Sequence, residues 1–147
     1  MRITEERRDL FSVSSDYYLC QCISADFAMG AGIAIQFNKR FNTSTKIRQL
    51  YPNYLDFWDE NKCTGQCLIV DNVLNLVTKR RYWEKPTESS MLMALRSMRY
   101  LCENKNIAKL AMPLIGCGID KLKWVNVRKL IDEVFNDMNI EIVVCYL

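Results

Sequence analysis

Two kinds of apolar pattern alternate along this chain, and that alternation limits its fold more than any other feature. Tyr17-Tyr18-Leu19-Cys20-Gln21-Cys22-Ile23 is rich in aromatic and strand-compatible residues and predicts a strand. Cys67–Val70 and Val73–Thr78 flank Asp71-Asn72, a two-residue hairpin turn. Residues 108–114 and 142–147 read as buried strands. Between these runs the spacing changes to that of helices. Met91, Ala94, Leu95, Met98, Leu101 and Cys102 recur on one helical face, as do Val127, Leu130, Ile131, Val134, Phe135 and Met138. A third helix is expected from near Ala28 to Phe41. Strands alternating with helices, with one hairpin inserted, predict a three-layer α/β/α fold around a mixed sheet. At 147 residues without a linker, repeat or low-complexity segment, the expectation is one domain, residues 1–147.

The residues present also exclude much chemistry. The chain contains no histidine, which removes Ser-His-Asp and Cys-His nucleophile pairs, histidine bases and histidine metal sites. Asp, Glu, Lys, Tyr, Cys or bound water must do any work. Cys20 with Cys22, and Cys63 with Cys67, have spacings that invite a metal. The first pair alternates as strand residues do, however, and no histidine completes a mixed site, so no metal is expected. Seven cysteines behind the charged start MRITEERRDLF, which is no signal peptide, suggest reduced thiols in an intracellular protein, cytoplasmic or, in a eukaryote, nuclear. No segment reaches the roughly 18 apolar residues of a membrane span. A net charge of +3 is too small to argue by itself for nucleic acid or anionic membrane.

Glycine is scarce, yet four of the five glycines form two G-x-G pairs. Gly30-Ala31-Gly32 and Gly116-Cys117-Gly118 each follow a strand and lead towards a helix. Glycine admits positive φ and close approach of backbone, so N–H groups can converge on an anion, and a helix N-terminus adds its dipole. Ligands of open α/β sheets settle outside the carboxyl ends of strands, where both loops fall. Either pair alone is consistent with a tight turn; together they point to a phosphate or diphosphate. Neither is a Rossmann fingerprint, which has a third glycine, nor a P-loop, which continues Gly-Lys-Ser/Thr.

Three segments, CISADFAMGAGIA (22–34), VTKRRYWEKPT (77–87) and MPLIGCGIDKLKW (112–124), resemble macro domains in order and spacing. More narrowly, they resemble the terminal ADP-ribose protein glycohydrolase branch. The likeness runs from Ile3-Thr4 and Asp9-Leu10-Phe11 to Tyr146-Leu147. It implies an α/β/α fold binding ADP-ribose across the strand ends, with no cofactor. Asp9 would accept from the adenine amino group, with Leu10 beside it and Leu147 near the adenosine. Ser24 and Gly30, Ala31, Gly32 and Ile33 would line the distal ribose and diphosphate. Leu114, Ile115, Gly116, Cys117, Gly118 and Ile119 would wrap the diphosphate from the other side. Lys79 would attack the distal ribose and Asp120 would assist. Two departures stand out: Arg8 occupies a position usually glycine, and the middle loop lacks the asparagine and triple glycine of the commoner hydrolase branches.

By itself Lys79 also fits a solvated Lys79-Arg80-Arg81 run. A lysine at its ordinary pKa of about 10.4 is under roughly 0.1% neutral at pH 7. Desolvation or neighbouring cations ease loss of the proton, and Arg80 and Arg81 are the cations at hand. Asp120 equally fits a helix N-terminal acid. Cys117 has no histidine to activate it and suits a tight turn. Trp83 and Trp124 fit either ligand-side aromatics or packing. The resemblance implies a monomeric hydrolase releasing ADP-ribose from Glu/Asp conjugates of proteins. O-acetyl-ADP-ribose and ADP-ribosylated nucleobases, including those in nucleic acid, are further candidate substrates. The alternatives are a non-catalytic ADP-ribose reader and an ADP-ribose-1″-phosphatase.

Overall fold

A computed structural model describes residues 1–147. Six strands form one sheet: β1 (Arg2–Arg7), β2 (Tyr18–Ser24), β3 (Gln66–Val70), β4 (Val73–Lys79), β5 (Lys109–Met112) and β6 (Glu141–Tyr146). Five helices accompany them: α1 (Ile33–Phe41), α2 (Thr43–Leu50), α3 (Tyr54–Glu60), α4 (Glu88–Lys105) and α5 (Trp124–Phe135). The strand order is β1-β6-β5-β2-β4-β3. Every neighbouring pair is parallel except the β3–β4 hairpin, whose turn places Asp71 at a φ of 52°.

Strand alternation divides the core into two layers. Cys20, Leu74, Leu76, Leu110 and Ile142 face α4 and α5, where Met98, Ile131 and Phe135 are fully buried against them. Ile23, Val77 and Leu68 face the other way, against Ala34, Ile47, Tyr54 and Trp58 of α1 to α3. Helix α4 starts sharply because Thr87 and Ser90 cap each other: each side-chain oxygen accepts from the other's backbone N–H, at 3.0 and 2.9 Å.

The structure departs from the sequence reading in specific places. Helix α1 begins at Ile33, not near Ala28, because Phe27 (φ 57°) and Met29 (φ 46°) occupy the left-handed region, which no right-handed helix admits. Strand β5 stops at Met112 because Pro113 has no N–H for the ladder; Leu114 instead enters a turn, with Cys117 N–H donating to its carbonyl at 3.1 Å. The last strand begins at Glu141 and ends at Tyr146. Helices α2 and α3, at eight and seven residues, are too short to have shown a period, and the edge strand β1 is too charged. No helix is long and apolar enough to cross a membrane.

Candidate active site

Five strands run parallel, and β1, β2, β4, β5 and β6 all end at the same edge of the sheet. The segments leaving them wall a cleft of about 760 Å³, and every residue to which the resemblance gives a ligand-binding or catalytic role lines it, from Asp9 and Leu10 at one end to Lys79 and Asp120 at the other.

Lys79 is the last residue of β4, and a bulge aims it. Ile23 pairs with Val77, but Ser24 pairs with Lys79, leaving Thr78 without a partner across the ladder. Such an insertion turns the residue after it. The Lys79 ammonium donates to Asp120 Oδ1 at 2.6 Å, with only 11% and 12% of the two side chains exposed. Both flanking cations have partners of their own. Arg80 is held in a two-pronged bond to Asp59 of α3 at 2.7 and 2.8 Å, and the Arg81 guanidinium lies 5.6 Å over the Trp83 ring. Lys79 itself is mostly covered and paired with Asp120.

The first glycine loop ends at Gly32, which caps α1 with a φ of 64° and no side-chain bond. The N–H groups of Gly30, Ala31, Gly32 and Ile33 donate to no backbone carbonyl. A helix N-terminus with free N–H groups favours an anion. The bulky residues at positive φ before it would cost about 1–3 kcal/mol each, so the surroundings must impose them. Helices α2 and α3 do so: Arg48 donates to the Phe27 carbonyl at 2.9 Å, and Tyr54 stacks on the Phe27 ring at 5.1 Å.

The second glycine loop turns at Gly116 (φ 73°), where a Cβ would sit 2.7 Å from Met91 Cε of α4 and 3.0 Å from Leu122. Only glycine fits. The N–H groups of Gly118, Ile119 and Asp120 again donate to no backbone carbonyl. The loops meet where the Ile119 side chain reaches to 3.1 Å of the place a Cβ would take on Gly32. Helix α5 begins only at Trp124, so Asp120 is not a helix N-terminal acid.

Two cleft thiols stay protonated. Burial pushes Cys22 far up, and the negative charge of Asp120 adds to it. Burial also raises Cys117, whose Sγ donates to the Ile115 carbonyl at 3.3 Å. Neither is an activated nucleophile. All seven cysteines are free, and no group of His, Cys, Asp or Glu could hold a metal ion.

At the far end, Asp9 Oδ1 accepts from Phe11 N–H at 3.0 Å and caps a short 3₁₀ turn, Leu10–Ser12. Arg8 folds onto Ser12, bonding its hydroxyl and carbonyl at 3.0 Å each. Trp83 and Trp124 lie outside the cleft; Trp124 donates to Glu5 at 3.1 Å. Tyr82, between Arg81 and Trp83, does line it.

Asp26 escaped the sequence reading. Its carboxylate accepts from the Ser24 hydroxyl, from Ala28 N–H at 3.2 Å and from Tyr82 N–H at 3.0 Å, tying the end of β2 to the segment after Lys79. Its position in the motif, two residues after Ser24, was the available signal. The Ser24 hydroxyl is therefore already engaged within the cleft wall.

No family model matches the chain. Human ADP-ribose glycohydrolase OARD1 is 35% identical over 147 residues, spanning 97% of this chain and 90% of that protein. Among solved structures, the macrodomain of Mycobacterium tuberculosis DarG aligns with a TM-score of 0.79 at 22% identity, over 99% of this chain and 97% of that one. Thermosipho africanus DarTG in complex with ADP-ribose aligns at 0.70 and 20% identity, over 98% of this chain and 41% of that one.

Proposed function

The chain belongs to the macro domain family, in the terminal ADP-ribose protein glycohydrolase-like branch, and we propose that it binds ADP-ribose and hydrolyses its C1″ linkage to a carboxylate. The observation that carries the reading is the 2.6 Å contact of Lys79 with Asp120 at the end of a cleft walled by two glycine loops. The free N–H groups of both loops suit the two phosphates, and Ile119 would close over them.

In this reading Asp120, whose Oδ1 accepts from the Lys79 ammonium at 2.6 Å, takes its proton and uncovers the amine lone pair. The amine attacks C1″ of the distal ribose; the N–C1″ bond forms, the C1″–O bond breaks, and the protein carboxylate leaves with the electron pair. Ring opening breaks C1″–O4″, O4″ takes a proton, and Lys79 is left as an imine of the sugar. Water then adds to C1″ while Asp120 moves the protons, and the Lys79 amine departs. Released ADP-ribose closes its own ring. ADP-ribosylated nucleobases can follow the same course with the C1″–N bond breaking and the protonated base leaving. O-acetyl-ADP-ribose can follow it when the acetyl group sits on O1″ and leaves as acetate.

The test is release of ADP-ribose from an auto-modified ADP-ribosyltransferase. Lys79→Ala should lose at least about 10³-fold in rate, and Asp120→Ala about 10²–10⁴-fold. Both should still bind free ADP-ribose by calorimetry. Wild-type binding without any release would make the protein a reader instead. Release unchanged in Lys79→Ala would remove the lysine from the mechanism.

A further inference from the structure

The tip of the second glycine loop is held to the rest of the protein by few polar contacts. Its base is packed, with Ile115 buried and Gly116 against Met91 and Leu122. Beyond it, Ile119 is half exposed, and two polar side-chain contacts reach the tip. Asp120 meets Lys79, and the Ile119 carbonyl accepts from the Lys85 ammonium at 2.8 Å.

Lys85 reaches from a braced arm. Residues 80–87 are fixed at one end by Arg80 on Asp59 and by Tyr82 N–H on Asp26, and at the other by the Thr87 cap of α4. Pro86 follows Lys85 and restricts its backbone to extended conformations.

We propose that Lys85 is a positioning residue that holds the loop tip, and with it Asp120, during turnover; this rests on the lysine–aspartate reading above. Once Lys79 has given up its proton and bonded to C1″, its ion pair with Asp120 is gone. The Lys85–Ile119 contact is then the remaining side-chain tether on the tip. Asp120 needs that tether to stay within reach of the imine and the incoming water. Lys85 therefore acts mainly after the adduct has formed.

The experiment compares Lys85→Met, Lys85→Arg, Asp120→Ala and Lys85→Met/Asp120→Ala in the full chain. Lys85→Met should lower kcat at least about tenfold, as misplacing a reacting group does. Its ADP-ribose affinity and Tm should stay close to wild type, because the side chain is exposed and its removal strands no buried charge. Lys85→Arg should restore most of the rate. In the Asp120→Ala background, Lys85→Met should change nothing further, since its effect passes through Asp120. A wild-type kcat for Lys85→Met, or rate losses that multiply in the double variant, would overturn the proposal. If Lys79→Ala itself kept full activity, the underlying mechanism would have failed, a separate result.

Discussion

The two ends of the cleft are built on opposite principles. At one end, opposite charges meet at 2.6 Å with about nine-tenths of each side chain covered. At the other, Asp9 is exposed on a single 3₁₀ turn, and Leu147 is 92% exposed. The first end needs many parts of the fold to hold it: the bulge beyond Val77, the Asp26 knot and the packing under Gly116. The second is anchored from below by Leu10 and by Phe11 packed on Phe37, while Asp9 and Leu147 themselves stay exposed. Charged groups are covered and paired where bonds would change, and exposed where a ligand has only to be gripped. Such preorganisation is what electrostatic catalysis requires.

The same deletion at the two ends probes this difference most strongly. Asp120→Ala leaves the Lys79 ammonium unpaired in a largely covered site. It should cost about 3 kcal/mol of stability, the low end for a covered pair, or roughly 6–12 °C in Tm, beside its loss of turnover. Replacing both partners by apolar residues, Lys79→Met/Asp120→Leu, should recover part of that stability while remaining inactive. Additive losses in the thermal melts of the double variant would break the claim that the two charges act as one unit.

Alkaline pH tests the covered end next. Burial raises Cys22 far above its ordinary range in the folded chain, whereas an unfolded thiol ionises near 8.5. The native state thus favours the protonated form. That stability is complete below about pH 8 and is lost as pH rises through and beyond the unfolded value. Cys145, which lines the far end, is raised too, chiefly by burial and with Arg8 opposing. Melts between pH 7 and pH 10.5 should show Tm falling above pH 8.5. The fall should be shallower in Cys22→Ala than in Cys145→Ala; equal slopes would remove the contrast.

Asp9→Ala should do less. It removes the cap on Phe11 N–H, worth about 1 kcal/mol, and should weaken ADP-ribose binding roughly five- to tenfold with kcat unchanged. A fall in kcat would mean that this end is coupled to the chemistry. Smallest of all, Leu147→Ala should alter stability by under about 0.5 kcal/mol, with calorimetric affinity close to wild type.

The alternating strands and helices, the hairpin at Asp71-Asn72 and both glycine pairs were legible because each is a local pattern. So was the fold class, since only a few layer arrangements accommodate that order. What holds the glycine loops was not legible. Helices α2 and α3 bury few apolar residues, chiefly Ile47, Tyr54 and Trp58, so no period announced them. Yet Arg48 and Tyr54 hold Phe27 at its positive φ, and Asp59 pairs with Arg80 beside Lys79. Those contacts join residues more than twenty positions apart. The helical period also ran too far towards Ala28, since Met29 is buried as a helical residue would be but sits in a loop. Lys79 and Asp120 were reached through a motif; the bulge that aims the lysine has no sequence pattern of its own.

The central claim is that Lys79 becomes covalently attached to the sugar, and intact mass spectrometry of Asp120→Ala tests it most directly. Without Asp120, buffer can still take the Lys79 proton, slowly, whereas breakdown of the imine loses the carboxylate that moves its protons and is slowed more. Given a long incubation with ADP-ribose or a modified protein and then borohydride, this variant should gain the mass of one reduced ADP-ribose adduct. Peptide mapping should place the label on Lys79, and Lys79→Ala/Asp120→Ala should gain nothing. An unmodified mass for Asp120→Ala, under conditions where the wild type still releases ADP-ribose, would contradict the account and leave water as the nucleophile.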